Sequence, residues 1–208
     1  MLEGDALAAW LRERAGKLTA SRMADAMDFL KNGEPSKKRS DLMRELLAER
    51  LADETARHFV TDAMRWGLEK ECDAKAAYEA HTGVFVQEGG FVEHPKIENL
   101  GATPDGFVGA DGLIETKCPT TPVFLDWVMA GVVPDKHKPQ MIVQLQCTRR
   151  TWCDFVAYDP RIRDQRRQLF IRRYIPTEAE IAKVEAAAIK FLDELDNLFD
   201  AFFSAQAA

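Results

Sequence analysis

Gly101-Ala102-Thr103-Pro104-Asp105-Gly106 and, a few residues on, Gly112-Leu113-Ile114-Glu115-Thr116-Lys117-Cys118-Pro119 form the stretch on which the reading of this chain turns. The second segment has the composition of a strand, and side chains alternate across a strand. Glu115 and Lys117 therefore share one face, and Ile114, Thr116 and Cys118 the other. A Glu-x-Lys step by itself is common at exposed strand edges. Here Pro104-Asp105 precedes it across a hairpin-like interval, so if Asp105 lies on the neighbouring strand, two carboxylates converge with an ammonium beside them. Hard oxygen ligands in that arrangement suit Mg²⁺, which takes few protein ligands and keeps several waters. A cation between Asp105 and Glu115 could polarise a phosphodiester and lower the pKa of a bound water.

Outward from this centre, the 208 residues and 46% hydrophobic content suit one globular domain spanning 1–208. The formal charge of −6 excludes a protein that coats nucleic acid by uniform basicity. The charge is segregated: residues 1–66 are net 0, 67–135 net −8, 136–173 net +7 and 174–208 net −5. An acidic middle that holds cations, followed by a basic segment that holds a polyanion, fits a metal-dependent phosphodiester enzyme.

No apolar run is long enough for a membrane span, and Met1-Leu2-Glu3-Gly4-Asp5 has no basic start, so no secretory signal is expected. Cys72, Cys118, Cys147 and Cys153 form no CxxC pair and read as buried thiols of a reducing cytosol. His58, His81, His94 and His137 share no ligand spacing, and His94-Pro95 reads as a turn. P-loop, Rossmann and HExxH patterns are absent.

Periodicity predicts helices from Asp5 to Arg14, from Thr19 or Ser21 to about Leu30, from Asp41 to about Thr55 and from Asp62 to Ala80, which Gly83 ends. Residues 31–40 read as a polar loop whose Lys37, Lys38 and Arg39 are solvated or touch phosphate. Short strands are expected at 84–86, 90–92, 106–108 and 112–117. After Pro119 and Pro122 come a helix from Val123 to Ala130, a loop to Pro139 and a helix from Met141 to about Thr148. Strands at 151–158 and 168–174 and a long helix over about 177–203 complete the chain. The fold class is α/β, with a small central mixed sheet, N-terminal helices before it and a C-terminal helix after it. Met23, Met27, Leu42, Leu46, Phe124 and the Leu/Phe run after Ala188 are candidate core.

Pro104-Asp105 with Glu115-Thr116-Lys117 resembles the signature of the PD-(D/E)XK nuclease superfamily. The flanking text is similar to its phage lambda exonuclease, or YqaJ-type viral recombinase, branch. Trp10-x₃-Arg14-x₂-Lys17-Leu-Thr-Ala-Ser21 resembles that branch's N-terminal motif, and Gly67-x₃-Glu71 with Ala74 and Tyr78-Glu79 its catalytic helix. Gln144-Leu-Gln146 with Tyr158-Asp-Pro-Arg161 resembles its glutamine segment and closing strand. The likeness covers about residues 8–175 and implies a restriction-endonuclease-like core.

The resemblance implies catalytic roles for Glu71, Asp105, Glu115 and Lys117. Two Mg²⁺ ions, replaceable by Mn²⁺, are expected on Glu71, Asp105, Glu115 and the Thr116 carbonyl, while Lys117 positions or deprotonates the attacking water. Arg14, Ser21, Thr103 and Gln144 are implied as 5′-phosphate contacts, with Gln146 second to Gln144. Trp10 is either a stacking contact for the DNA end or a core anchor. The implied activity is 5′-to-3′ digestion of linear double-stranded DNA, releasing 5′-mononucleotides and leaving 3′ tails for annealing. The implied partners are two further copies in a homo-trimeric ring and a single-strand annealing protein, in the cytoplasm of a bacterial host of phage or prophage. The competing readings are another nuclease of the superfamily, endonucleolytic or single-strand-specific, and a catalytically silent DNA-binding scaffold.

Overall fold

The computed structural model describes residues 4–52 and 62–206. The expected helix end near Thr55, and His58, lie outside them. Helix α1 (Gly4–Arg14) ends ahead of Gly16, whose φ of +67° turns the chain into β1 (Leu18–Thr19). A side chain at Gly16 would also collide with Arg50.

The second helix is shorter than its periodicity suggests. A single 3₁₀ turn (Ala20–Arg22) leads into one helical turn, α2 (Met23–Ala26), and Thr19 belongs to β1 without capping anything. The chain then reverses through a bridge between Phe29 and Pro35. Helix α3 (Lys37–Ala52) starts four residues before the expected Asp41, so Lys37, Lys38 and Arg39 are its first turn and not a loop.

Arg39 is buried. Its Nε donates to the Ala26 carbonyl at 3.0 Å, and its Nη2 meets Glu194 at 2.9 Å. It is a structural pin between α2 and the C-terminal helix, and the expectation of a solvated or phosphate-touching side chain fails for it. Burial of a charge is tolerated because both donors are matched.

Helix α4 (Asp62–Thr82) is followed by Gly83 at φ +72°. Seven strands and three helices then follow. They are β2 (Val86–Gln87), β3 (Val92–Glu93), β4 (Leu100–Ala102), β5 (Gly106–Val108) and β6 (Gly112–Lys117), then α5 (Thr121–Ala130) and α6 (Lys138–Thr148). β7 (Trp152–Tyr158), β8 (Leu169–Tyr174) and α7 (Glu178–Gln206) close the chain. β4 is a strand that periodicity misses, because Leu100-Gly101-Ala102 is short and lacks β-branched residues. Its backbone is nevertheless buried between two partners.

The strands form two sheets, β1-β4-β3 and β2-β5-β6-β7-β8. In the larger one, β6 pairs antiparallel with β5 and parallel with β7. Parallel pairing needs a crossover, here supplied by α5 and α6. The main core lies on the face of the larger sheet that carries Leu113, Cys153 and Phe155, together with α2, α3, α6 and α7. On the opposite face Tyr78 of α4 packs with Val108, Ile114 and Val156.

Among the candidate core residues, Met23, Leu42, Leu46 and Phe124 are buried and Met27 is partly buried against them. The α7 stripe is core through Phe191, Leu192 and Leu195, but Leu198, Phe202 and Phe203 are exposed. Cys147 and Cys153 are buried free thiols, whereas Cys72 is exposed because it lies on the outer side of α4. No helix among the described residues is long and apolar enough to cross a membrane.

Candidate active site

The chain passes from the small sheet to the large one through Thr103-Pro104-Asp105, between the end of β4 and the start of β5. Gly106 pairs with Ile114 in antiparallel register, so Asp105, one residue earlier, stands opposite Glu115. Its carboxylate is fixed by β6: Oδ2 accepts from the Thr116 amide at 2.6 Å and from the Thr116 hydroxyl at 2.7 Å. Two donors on one carboxylate oxygen leave the other oriented but not engaged by that residue.

Glu115 has no exposed surface. Lys117 Nζ donates to its Oε1, and Gln144 Nε2 donates to Oε2 at 2.6 Å. Burial, and then the Asp105 charge, push its carboxyl up to about 7, with the Lys117 and Gln144 contacts opposing. Burial alone would depress Lys117, but Glu115 and Asp105 hold its ammonium above the ordinary lysine range, with Glu71 adding to them. Gln144 is fully buried in α6, and its Oε1 has no partner.

Glu71 arrives from α4. Glu71, Ala74, Lys75 and Tyr78 recur at helical spacing on the face that packs against the large sheet, where Ala74 and Tyr78 are buried. Glu71 is paired with Lys75 at 2.6 Å. Among the described residues no three His, Cys, Asp or Glu side chains are gathered closely enough to hold a metal ion. Glu71, Asp105 and Glu115 are thus not drawn into one three-carboxylate cluster: Lys75 pairs with Glu71, Lys117 with Glu115, and Thr116 holds Asp105.

The donor chemistry still fits a hard divalent cation. It comprises the carboxylates of Asp105 and Glu115, one of them buried at raised pKa, and an orphaned amide oxygen on Gln144.

A second group of residues adjoins this centre. β1 pairs in parallel with β4, Leu18 opposite Leu100 and Thr19 opposite Gly101. The N-terminal segment therefore lies along the strand that leads into Thr103. Arg14 Nη1 donates to Thr103 Oγ1 at 3.1 Å, and the Arg14 guanidinium lies 4.0 Å from the centre of the Trp10 ring. Burial pulls Arg14 below its ordinary value, Glu49 raises it and Arg22 lowers it again.

Ser21 is exposed, with Oγ 3.3 Å from Thr19 Oγ1. Trp10 is half-buried, consistent with a platform under Arg14 more than with a deep core anchor.

Gln146 is not at this centre. Two residues on from Gln144, it faces the other side of α6 and lines a crevice with His94, Val184 and Glu185. Sequence reasoning also missed three groups. Arg22 shares the field of Arg14 and is held by Glu45 at 2.8 Å, while Lys75 lies in the field of both Asp105 and Glu88. The signal for Lys75 was its spacing of four from Glu71.

The basic segment is less open than its net charge implies. Arg150 binds the carbonyls of Gly109 and Gly112, Arg161 binds Asp159, Arg172 binds the Gly131 carbonyl, and Arg173 binds Asp154.

A mixed sheet carrying Pro104-Asp105 opposite Glu115-x-Lys117, with a helix glutamate alongside, defines a fold of the PD-(D/E)XK nuclease superfamily. A family model for the YqaJ-like viral recombinase domain matches residues 9–151. The chain is also similar to the crystal structure of an alkaline exonuclease (LHK-Exo) from Laribacter hongkongensis. The two are 38% identical, with 96% of this chain and 97% of that chain covered and a TM-score of 0.87.

The structure of LHK-Exo in complex with dAMP matches with the same identity and TM-score and 99% of that chain covered. A phage related exonuclease from Haemophilus somnus 129PT is 18% identical over 87% of this chain and 95% of its own, with a TM-score of 0.62, which shows a shared fold. No curated protein sequence gives a match. The chain belongs to the YqaJ-like viral recombinase domain family.

Proposed function

We propose that this protein is a Mg²⁺-dependent exonuclease that resects linear double-stranded DNA from its 5′ ends. It releases 5′-mononucleotides and leaves 3′ single-stranded tails for annealing-type recombination. The observation that carries the reading is the continuity of Trp10, Arg14 and Thr103 with Pro104-Asp105 and, across the sheet, with Glu115 and Lys117. A phosphate held by Arg14 would lie on the segment that leads through Thr103 into Asp105, which is what cleavage counted from an end requires. The 38% identity to an alkaline exonuclease that was also crystallised with the nucleoside monophosphate dAMP supports a nuclease that yields mononucleotides.

The carboxylates of Asp105 and Glu115, with Glu71 and the Thr116 carbonyl, are the groups that would hold Mg²⁺ or Mn²⁺, which when bound would supply Lewis acidity to the scissile phosphate and offset the negative local field. Lys117 acts as a donor: its ammonium, held up by Glu115 and Asp105, orients the attacking water and offsets charge on the phosphoryl oxygens. Gln144 fixes the rotamer of Glu115 through Oε2. Arg14 binds the terminal 5′ phosphate through its planar guanidinium, with Thr103 holding the guanidinium plane and Ser21 a hydroxyl donor nearby. Trp10 supports Arg14 and stacks at the DNA end.

In this reading the protein works as a homo-trimeric ring with a single-strand annealing protein, in the cytoplasm of a phage-bearing host. The test is digestion of linear duplex labelled separately at its 5′ and 3′ ends, beside a closed circular duplex. Loss of 5′ label as mononucleotide with an intact circle supports the reading, and cutting of the circle transfers it to an endonuclease.

A further inference from the structure

Lys75 sits where a helix-surface lysine does not belong. It shares the inner face of α4 with Glu71, Ala74 and Tyr78, and its side chain is only 16% exposed, against 30% for its partner Glu71. Burial alone would depress it, but the hydrogen bond to Glu71 and the charges of Glu71, Asp105 and Glu88 hold it above the ordinary range. An ordinary i,i+4 pair interacts only with itself and is worth little at a surface. This one also lies in the field of a carboxylate from another element, Asp105.

Three carboxylates and two lysines therefore share the centre. Lys117 lies on Glu115 and Lys75 on Glu71, and no three-carboxylate cluster is formed among the described residues.

We propose that Lys75 is the built-in counter-ion of the cation-free centre, a positioning residue that holds Glu71 away from Asp105 and Glu115 until a divalent cation displaces it. The proposal rests on the reading of the centre as a divalent-cation site. Its physical basis is that three carboxylates near one another need positive charge at all times. Before the cation arrives, the ammonium of Lys75 supplies it at Glu71. When Glu71 turns to a cation, the Lys75 ammonium is released, still in the field of Asp105 and Glu88. Glu71 is thereby kept out of non-productive contacts, at the cost of weaker cation binding in the absence of DNA.

The test uses the full chain without DNA, titrated with Mn²⁺ alone and followed by calorimetry or by the electron paramagnetic resonance of free Mn²⁺. Lys75→Met is expected to bind Mn²⁺ about tenfold more tightly than the native chain, because a nearby positive charge competing for Glu71 is gone. Lys75→Arg is expected to stay near native affinity. The double variant Lys75→Met/Glu71→Gln decides the mechanism, since the gain must vanish when there is no carboxylate to release.

A gain that persists in the double variant is a general field effect and overturns the proposal, as does unchanged or weaker binding by Lys75→Met. Lys75→Gln is the second neutral variant should Lys75→Met fold poorly. A native chain that binds no Mn²⁺ overturns both the proposal and the reading beneath it. Native binding without the Lys75 effect overturns the counter-ion role alone.

Discussion

Gln144 Nε2 lies 2.6 Å from Glu115 Oε2, and both side chains are wholly buried. A carboxylate without solvent depends on such donors, because loss of one leaves a desolvated charge unmet. Gln144→Leu removes the donor while keeping volume. It is expected to lower kcat by about tenfold to a hundredfold with little change in KM, on the order of 1–3 kcal/mol for one hydrogen bond to a charged group. Steady-state cleavage of linear duplex checks this, and an effect confined to KM would place Gln144 on DNA.

The raised carboxyl of Glu115 has a stability consequence in the cation-free protein. Its folded value of about 7 exceeds the ordinary 4.5, so the folded state holds a proton that the unfolded chain has released. Stability from this group is complete below pH 4.5 and is lost as pH rises through 7, by at most about 3 kcal/mol. Glu115→Gln is therefore expected to melt higher than the native chain at pH 8 in EDTA, to match it near pH 4.5, and to be inactive. Parallel melting curves of the two proteins across this range would contradict the assignment.

Arg14 is predicted to distinguish DNA ends. Arg14→Ala is expected to raise KM about tenfold to a hundredfold on 5′-phosphorylated duplex and to change it little on 5′-hydroxyl duplex, since a charge-assisted contact to phosphate is worth about 1.5–3 kcal/mol. Equal losses on both ends would show a structural role through Thr103.

Arg39 tests the architecture independently of the chemistry. Removing one partner of its buried pair leaves Glu194 and the Ala26 carbonyl unmatched. Glu194 is partly exposed, so Arg39→Met is expected to cost about 2–3 kcal/mol in urea unfolding, with per-molecule activity of the folded fraction unchanged.

His137 stacks on Phe155 and meets the edge of Trp127, with ring centres 5.3 and 5.4 Å away. Burial, and then the charges of Lys117 and Lys136, push it down to about 3. The folded state excludes a proton that the unfolded chain binds below about 6.5. Its share of stability is thus intact above 6.5 and is lost as pH falls toward 3. Its ring resonances are expected not to titrate between pH 5 and 8 in a nuclear magnetic resonance series.

The centre was legible because its chemistry is written locally. Strand alternation alone puts Glu115 beside Lys117, and a hairpin register puts Asp105 opposite Glu115. The long helices α4 and α7 and the strands β6 to β8 were legible for the same reason, since each carries a sustained period.

What sequence could not show depends on partners distant in the chain. β4 is a strand because β1 and β3 flank it, not because Leu100-Gly101-Ala102 favours one. Arg39 looked like loop charge because its matches, Ala26 and Glu194, lie 13 and 155 residues away. Gln144 and Gln146 are two letters apart, and only the orientation of α6 separates them.

Product release by the native chain and by Lys117→Ala from a duplex bearing one labelled 5′ phosphate, in Mg²⁺ and then in EDTA, tests the central claim most directly. The account predicts labelled mononucleotide as the first product of the native chain in Mg²⁺. It predicts none in EDTA and none from Lys117→Ala, which still binds the duplex. Release of unlabelled nucleotide ahead of the label, as digestion from the 3′ side would give, or undiminished cleavage by Lys117→Ala, would contradict it.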